Sequence, residues 1–300
     1  IRMYQLMLLI GSMMNSVESR KKFGLQTRWR VMPNCAGVDY FFGKELRVAE
    51  TEEIVVANNT MTFDDYVDCR VMDFVVEVFV NNDWFAELFE LVKFYGLKVF
   101  DFLVFVKQNK NRYPEKISAI FGSFIKDTCK DLFVEKKDIE DYILGDSILE
   151  KHVSGELGNN EILDHKALCY LNFDETVKFV FGMARSFFDS NNVCIDAALQ
   201  LYMEDLEKFI LCRKGNILNV EKILHEQFNF DFSLISKISF KVDPHNLIIS
   251  QNKFRFFHDD AQASIIKKSS LIYGTSVSGL GRFIQNNKMN RMFRQFEHCV

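Results

Sequence analysis

The chain has 300 residues, 48% of them apolar and 26% charged, with a formal net charge of −4. That length gives room for one or two domains with a buried core, and the balance is that of a globular protein. The slight acidity argues against a generally basic nucleic-acid binder. The apolar run MLLIGSMM near the start falls far short of the roughly 20 residues a membrane helix needs.

Thirty-one Phe against three Pro suit thick helix-to-helix packing with few rigid loops. The seven Cys, at 35, 69, 129, 169, 194, 212 and 299, are odd in number, never closer than 18 residues and never in CxxC spacing. That is neither a disulfide framework nor a zinc knuckle, so reduced thiols and a cytoplasmic location are expected. The six His, at 152, 165, 225, 245, 258 and 298, make no HxxxH or HExxH pairing, and no His-based metal site is expected.

In chain order, residues 3–10 (MYQLMLLI) form a continuous apolar run closed by Gly11-Ser12, the pattern of a strand buried on both faces. Asn15 or Ser16 can cap a short helix that Gly24 stops. Residues 26–33 read as a second strand halted by Pro33, residues 34–44 as a loop, and residues 53–58 (EIVVAN) as a third strand. Thr62 with Asp65 makes a short capping box, and the pattern then turns helical. Helices are expected near 63–80, 83–95, 98–108, 114–134, 136–144, 159–171, 173–189 and 193–214. Segments 236–241 and 246–257 suggest a small hairpin around Asp243-Pro244-His245, followed by helices over 259–273 and 279–297. The expected class is α+β, predominantly α, with a first domain over 1–62, a mostly helical one over 63–300, and the hairpin near 236–257.

Several polar residues could carry chemistry. Arg28 and Arg30 share one face of their strand, with Trp29 opposite, and an Arg there could clamp a carboxylate. The competing reading pairs one Arg with Glu50, Glu52 or Glu53. Asn58 and Asn59, with Thr60 and Thr62, close the EIVVAN strand, where an α/β barrel would place its active-site face. Turn and cap chemistry is their alternative role. Gly274, Gly279 and Gly281 do not make a nucleotide loop, because a helix and not a strand precedes them. The last 48 residues hold eight Lys or Arg against three acids, a net of +5 against −9 in the rest. Such an end either docks on the acidic body of its own chain or meets RNA or an acidic partner.

The segments TRWRVMP (27–33), EEIVVANNTM (52–61) and FDDYVDCR (63–70) resemble the late part of the radical S-adenosylmethionine proteins that carry a cobalamin-binding domain. The resemblance returns at SGELGNNEILDHKALCYL (154–171) and LIYGTSVSGLGRFIQNN (271–287). It implies the last strands of an incomplete (β/α) barrel followed by a helical C-terminal domain. For the intact protein it implies a 4Fe-4S cluster that cleaves S-adenosylmethionine, with cobalamin as a possible methyl carrier and a small-molecule substrate. This chain departs from the family pattern in having Ile10 and Met13 where Pro and Glu are usual in the loop after the first strand. It holds no CxxxCxxC, and Asp164-His165 lacks the spacing and glycine of a DxHxxG cobalamin loop. The chain by itself is therefore expected to bind no cluster, metal or cobalamin and to be inactive. Its beginning at Ile1, directly before an apolar strand, makes it the expected C-terminal portion of a longer protein whose N-terminal region is its partner. The alternative is a stand-alone helical interaction module whose basic end binds RNA or an acidic partner; a membrane partner is not expected.

Overall fold

The computed structural model describes residues 1, 3–145 and 147–299, and its first helix starts and stops where side chains dictate. The Ser16 hydroxyl accepts from the backbone N–H of Ser19 to open α1 (Val17–Phe23), and Gly24, at φ 60°, closes it. Two strands follow, β1 (Gln26–Phe41) and β2 (Lys44–Ala57). Then come α2 (Phe63–Phe79), α3 (Ala86–Phe94), α4 (Val99–Gln108), α5 (Glu115–Lys130), α6 (Lys136–Ile143), α7 (Ile148–Ser154), α8 (Glu161–Leu171), α9 (Phe173–Ser190) and α10 (Ala197–Lys214). The remainder is β3 (Leu224–Phe228), α11 (Phe232–Lys237), β4 (Asn252–Phe257), α12 (Asp260–Tyr273), α13 (Val277–Asn286) and β5 (Gln295–His298). The protein is thus α+β and mostly helical. Its residues group into two units, one of 2–73 and 121–164, the other of 74–120 and 165–300 together with Ile1. The boundary expected between 62 and 63 falls at the start of α2. There Thr62 and Asp65 cap one another, the Asp65 carboxylate accepting from the Thr62 N–H and the Thr62 hydroxyl from the Asp65 N–H.

In the first unit β1 and β2 form one long antiparallel hairpin. Phe42 and Gly43, at φ 49° and 76°, make its turn, the left-handed pair whose twist matches that of the flanking strands. The loop expected over 34–44 is therefore the outer half of a hairpin, and Pro33 does not end β1. The ladder is irregular between Val31 and Ala36, so the missing N–H of Pro33 falls where no ladder bond is required. Asn34, at φ 59°, sends its N–H to the Gly158 carbonyl at 2.8 Å instead. Residues 3–10 do not form the expected strand. They touch β2 through a single bridge, Met7 opposite Ile54, with Leu8 donating to the Glu53 carbonyl and Leu6 accepting from Val55, each at 2.9 Å. Consecutive strands of an α/β barrel run parallel. Because β1 and β2 run antiparallel through a tight turn, 26–33 and 53–58 are not two successive barrel strands. Ile54, Val56 and Tyr66 make the unit's core, with Met61, Val67 and Leu132 packed around them.

In the second unit α9 packs against α4 and α10, and aromatic rings fill the spaces. Trp84 lies between Tyr170 and Phe173, and Phe187 meets both Phe102 and Phe105. The hairpin expected near 236–257 is replaced by a three-stranded antiparallel sheet in the order β3-β4-β5. The strand reading of 246–257 survives only as β4. Its buried alternation of Asn252, Phe254 and Phe256 needs neighbours on both sides, and distant segments supply them. Asp231 caps α11 by accepting from the Ser233 and Leu234 N–H groups, which draws the residues before 238 into a helix. The helix expected over 279–297 ends at Asn286, and its last part is β5. Phe209 on α10 joins helix to sheet. It stacks on Phe232 at 4.4 Å between ring centres and meets Phe228, Phe256 and Phe296 edge-on.

The C-terminal end of α10 is closed by a buried guanidinium. Arg294, 1% exposed, donates to the carbonyls of Cys212, Gly215 and Asn216 at 2.9, 2.6 and 2.9 Å. Helix C-termini leave carbonyls unpaired and carry partial negative charge, so a cation there satisfies both needs. Phe209→Ala should lower stability by about 3–5 kcal/mol, the usual cost of emptying a buried aromatic site, measured by denaturant unfolding of the full chain.

Candidate functional site

The sheet register decides what the two candidate arginines do. Arg30 lies opposite Glu52, and its Nε donates to Oε1 of Glu52 at 2.7 Å. Glu161 at the start of α8 lies 3.5 Å from Nη1 of Arg30 and accepts from Nη2 of Arg70 at 2.8 Å. Arg70 in turn donates to Asp73 at 2.5 Å. Glu52, Arg30, Glu161, Arg70 and Asp73 thus form one buried relay, two guanidinia between three carboxylates. Tyr66, one turn before Arg70, is buried among them, and burial pushes its phenol up to about 12. Both guanidinia of the relay are already paired with carboxylates, so it has little to offer a substrate carboxylate. Its chemistry is that of a buried ion network that fixes register.

Arg28 stands differently. It lies opposite Ile54, is half-buried, donates through Nη1 to the Thr27 carbonyl at 2.8 Å, and forms no ion pair among the described residues. Glu53 is taken by Arg20 of α1, which donates to both its oxygens, and by the Thr27 hydroxyl at 2.6 Å. The Arg20 guanidinium holds the Glu53 carboxyl below its usual range. Trp29, on the other face, has Lys136 5.6 Å over its ring and exchanges two backbone hydrogen bonds with Phe133.

Asn58 and Asn59 both serve the backbone. The Asn58 side-chain oxygen accepts from the N–H and hydroxyl of Thr60 at 2.8 and 3.0 Å, an Asx turn. Asn59 donates from its backbone to Phe23 and from its amide to Lys22, closing the end of α1. Gly24 is required there twice over, for its positive φ and because a Cβ would lie 2.0 Å from the Asn59 amide oxygen. Asn58 and Asn59 follow β2 at the open end of the hairpin, where Ala57 faces Gln26. Of the four candidates, then, Arg28 alone keeps a side chain whose partner is only its neighbour's carbonyl.

Two further groups in this unit carry no sequence signature. His152 on α7 is 7% exposed, with neither ring nitrogen bonded, and its ring stands edge-on to Tyr142. Burial pushes its imidazole down, and the Asp131 charge opposes this, while burial pushes the Asp131 carboxyl up. Gly158 packs so closely that a Cβ would come within 2.3 Å of His152 Nδ1.

In the second unit a cleft of about 420 Å³ is walled by Lys116, Tyr170, Asn172, Asp174, Glu175 and Asn216. Lys116 and Glu175 pair across it at 2.5 Å, so its charges are largely spent on each other. Asp231, Ser233 and His298 gather at one point, but both the hydroxyl and the carboxylate face the same nitrogen, Nε2. A hydrolytic triad needs them on opposite nitrogens of the ring. Among the described residues no group of three or more His, Cys, Asp or Glu is arranged to hold a metal. Burial pushes the thiols of Cys169 and Cys212 up, Cys212 to about 12. No helix is long and apolar enough to cross a membrane among the described residues.

No protein-family model matches the chain, and no curated protein matches it.

Arg30→Ala should cost about 3–5 kcal/mol by leaving Glu52 and Glu161 buried beside one guanidinium fewer, whereas Arg28→Ala should leave the unfolding midpoint nearly unchanged. For His152 the sign follows from its depressed folded value. The unfolded chain takes up its proton first, so the stability His152 permits is full above about pH 6.5 and is lost as pH falls toward the folded value. His152→Phe should flatten the fall in stability between neutral and mildly acidic pH, compared with the parent chain by urea unfolding.

Proposed function

We propose that this chain is the C-terminal part of a radical S-adenosylmethionine enzyme of the cobalamin-binding type, acting as wall and scaffold of its substrate cavity. The resemblance at 27–33, 52–61, 63–70, 154–171 and 271–287 suggests the family. The observation that carries the structural half is the first segment of the hairpin unit. Leu6, Leu9, Ile10, Met13 and Val17 are exposed, Ile10 completely, although a continuous apolar run normally lies buried. The run already lines one edge of β2 through Leu6 and Leu8, and the backbone groups of Met7 face away from β2. A segment bridged to β2 along one edge, with the other edge open and apolar side chains exposed, suits a barrel wall completed by further strands and helices.

In this reading residues 3–10, which make only the single Met7–Ile54 bridge here, become a barrel strand when the upstream region pairs with them, the β1–β2 hairpin stands outside the barrel, and the second unit is the helical extension. Arg28 is the substrate- or cofactor-facing side chain to test first. Cluster, S-adenosylmethionine and cobalamin would be held by the N-terminal partner region, and no step of their chemistry is assigned to residues of this chain. The alternative, a helical module whose basic end binds RNA or an acidic partner, has less behind it. Arg294 is spent on α10, Arg255 pairs with Glu297 and Lys267 with Glu221.

Reading the coding DNA upstream of Ile1 tests the proposal directly. An in-frame CxxxCxxC behind a cobalamin-type domain supports it, and a start codon directly before Ile1 overturns it. Leu9→Asp with Ile10→Asp should make the 300-residue chain more soluble in light scattering, and the same pair should prevent assembly with the upstream region in a pull-down.

A further inference from the structure

His245, in the connection between α11 and β4, is held between two carboxylates. Its Nδ1 lies 2.9 Å from Oδ1 of Asp243, and its Nε2 lies 2.9 Å from Oδ2 of Asp196. An ionised carboxylate can only accept hydrogen bonds, and a neutral imidazole has a single N–H. Two contacts of this length therefore require both ring nitrogens to donate, which is the imidazolium form. Among the described residues Tyr95, at the end of α3, also faces the pair of carboxylates. Burial, and then the charges of Asp243 and Asp196, push its phenol up to about 12, so it stays neutral while His245 titrates.

We propose that Asp196, His245 and Asp243 form a pH-operated latch that fastens the 243–250 segment to the start of α10 while His245 is protonated and releases it when the proton leaves. The carboxylates are built to survive the release. Asp196 uses Oδ1 to cap α10 through the Leu199 N–H at 3.0 Å, and only Oδ2 engages His245. Asp243 shapes its own turn by accepting from the His245 N–H and the Asn246 amide, each at 3.0 Å. When the proton leaves, one ring nitrogen turns its lone pair toward a carboxylate oxygen. The contact with Asp243 spans two residues and costs little order to keep, whereas that with Asp196 spans 49. The Asp196 contact is the one that opens. The freed stretch carries the exposed Ile248 and Ile249 and lies between two remaining anchors, the buried Pro244 and the Ser250 N–H on the Asn229 carbonyl.

The sign is the reverse of that for His152. The two carboxylates raise the folded value of His245, so the latch contributes fully below about pH 6.5 and is lost as pH rises through the higher folded value. All three groups lie at the surface, so added salt should weaken the latch.

The test follows the His245 imidazole by NMR from acidic to alkaline pH in the full chain, with hydrogen exchange of the 243–250 amides over the same range. The expected result is a His245 midpoint above 6.5 that falls in Asp196→Asn, a substitution that retains a good helix cap. Protection of the Leu247 and Ser250 amides should decline across that midpoint, and His245→Gln should give the open level at every pH. A midpoint at or below 6.5, a midpoint unmoved in Asp196→Asn, or protection that stays flat while His245 titrates would each overturn the latch.

Discussion

The second unit depends on one buried charge. Arg294 comes from the last strand region and closes the last turn of α10, and its own N–H bonds the Arg213 carbonyl at 2.9 Å. A guanidinium taken out of water is costly unless every donor finds an acceptor, and a helix C-terminus offers a cluster of carbonyls that need donors. The two terminal nitrogens of Arg294 find such carbonyls while its Nε, also buried, finds no acceptor, and the chain end and the helix end are fixed together through Nη1 and Nη2. With that joint made, β5 lies beside β4, Phe296 meets Phe209 edge-on, and the Arg213 guanidinium lies over both rings, 5.9 Å from the centre of Phe209 and 5.5 Å from that of Phe296. Lys214 next to it is buried against Glu87 and the carbonyls of Asp83 and Trp84. Two adjacent cations of α10 and one of the eight from the basic chain end are therefore consumed in structure.

The first unit is organised by the same economy of charge in a different form. Glu161 joins Arg30 of the hairpin to Arg70 of α2. Slipping the β1–β2 register by one residue would turn Arg30 to the other face and strand Glu52 in the interior. Such networks add specificity more than stability, since the desolvation they incur offsets most of their attraction. Arg28, two residues away on the same face, is outside the network, and that difference singles it out as the polar side chain with capacity left for a ligand.

The exposed apolar segment before α1 contrasts with these closed networks. Its neighbours are satisfied, with Arg20 on Glu53, Asn59 on Lys22 and Ser16 on α1, while its own side chains are left in water. The proposal of a barrel partner rests on that contrast as much as on the motif resemblance. A surface that nature leaves both apolar and edge-open is one that is normally covered.

The sequence by itself determined the elements whose signals are local. The cap at Ser16, the Thr62–Asp65 box, the Gly24 stop and the helical periodicity of α2, α4 and α9 need only neighbours within a turn, and each is where the sequence places it. The pairing of an arginine with one of Glu50, Glu52 or Glu53, and the turn chemistry of Asn58 and Asn59, were also both among its readings. Only the tertiary structure decided which arginine is spent and which is spare, because that follows from the register of Arg30 against Glu52 and from Glu161, 131 residues further along the chain than Arg30. It likewise decided that β4 pairs with 224–228 and 295–298, that Pro33 sits inside a strand irregularity, and that His152 and His245 lie in opposite electrostatic settings. Strand partners and pKa shifts are set by groups far apart in the chain, and no local pattern of residues encodes who those distant neighbours are.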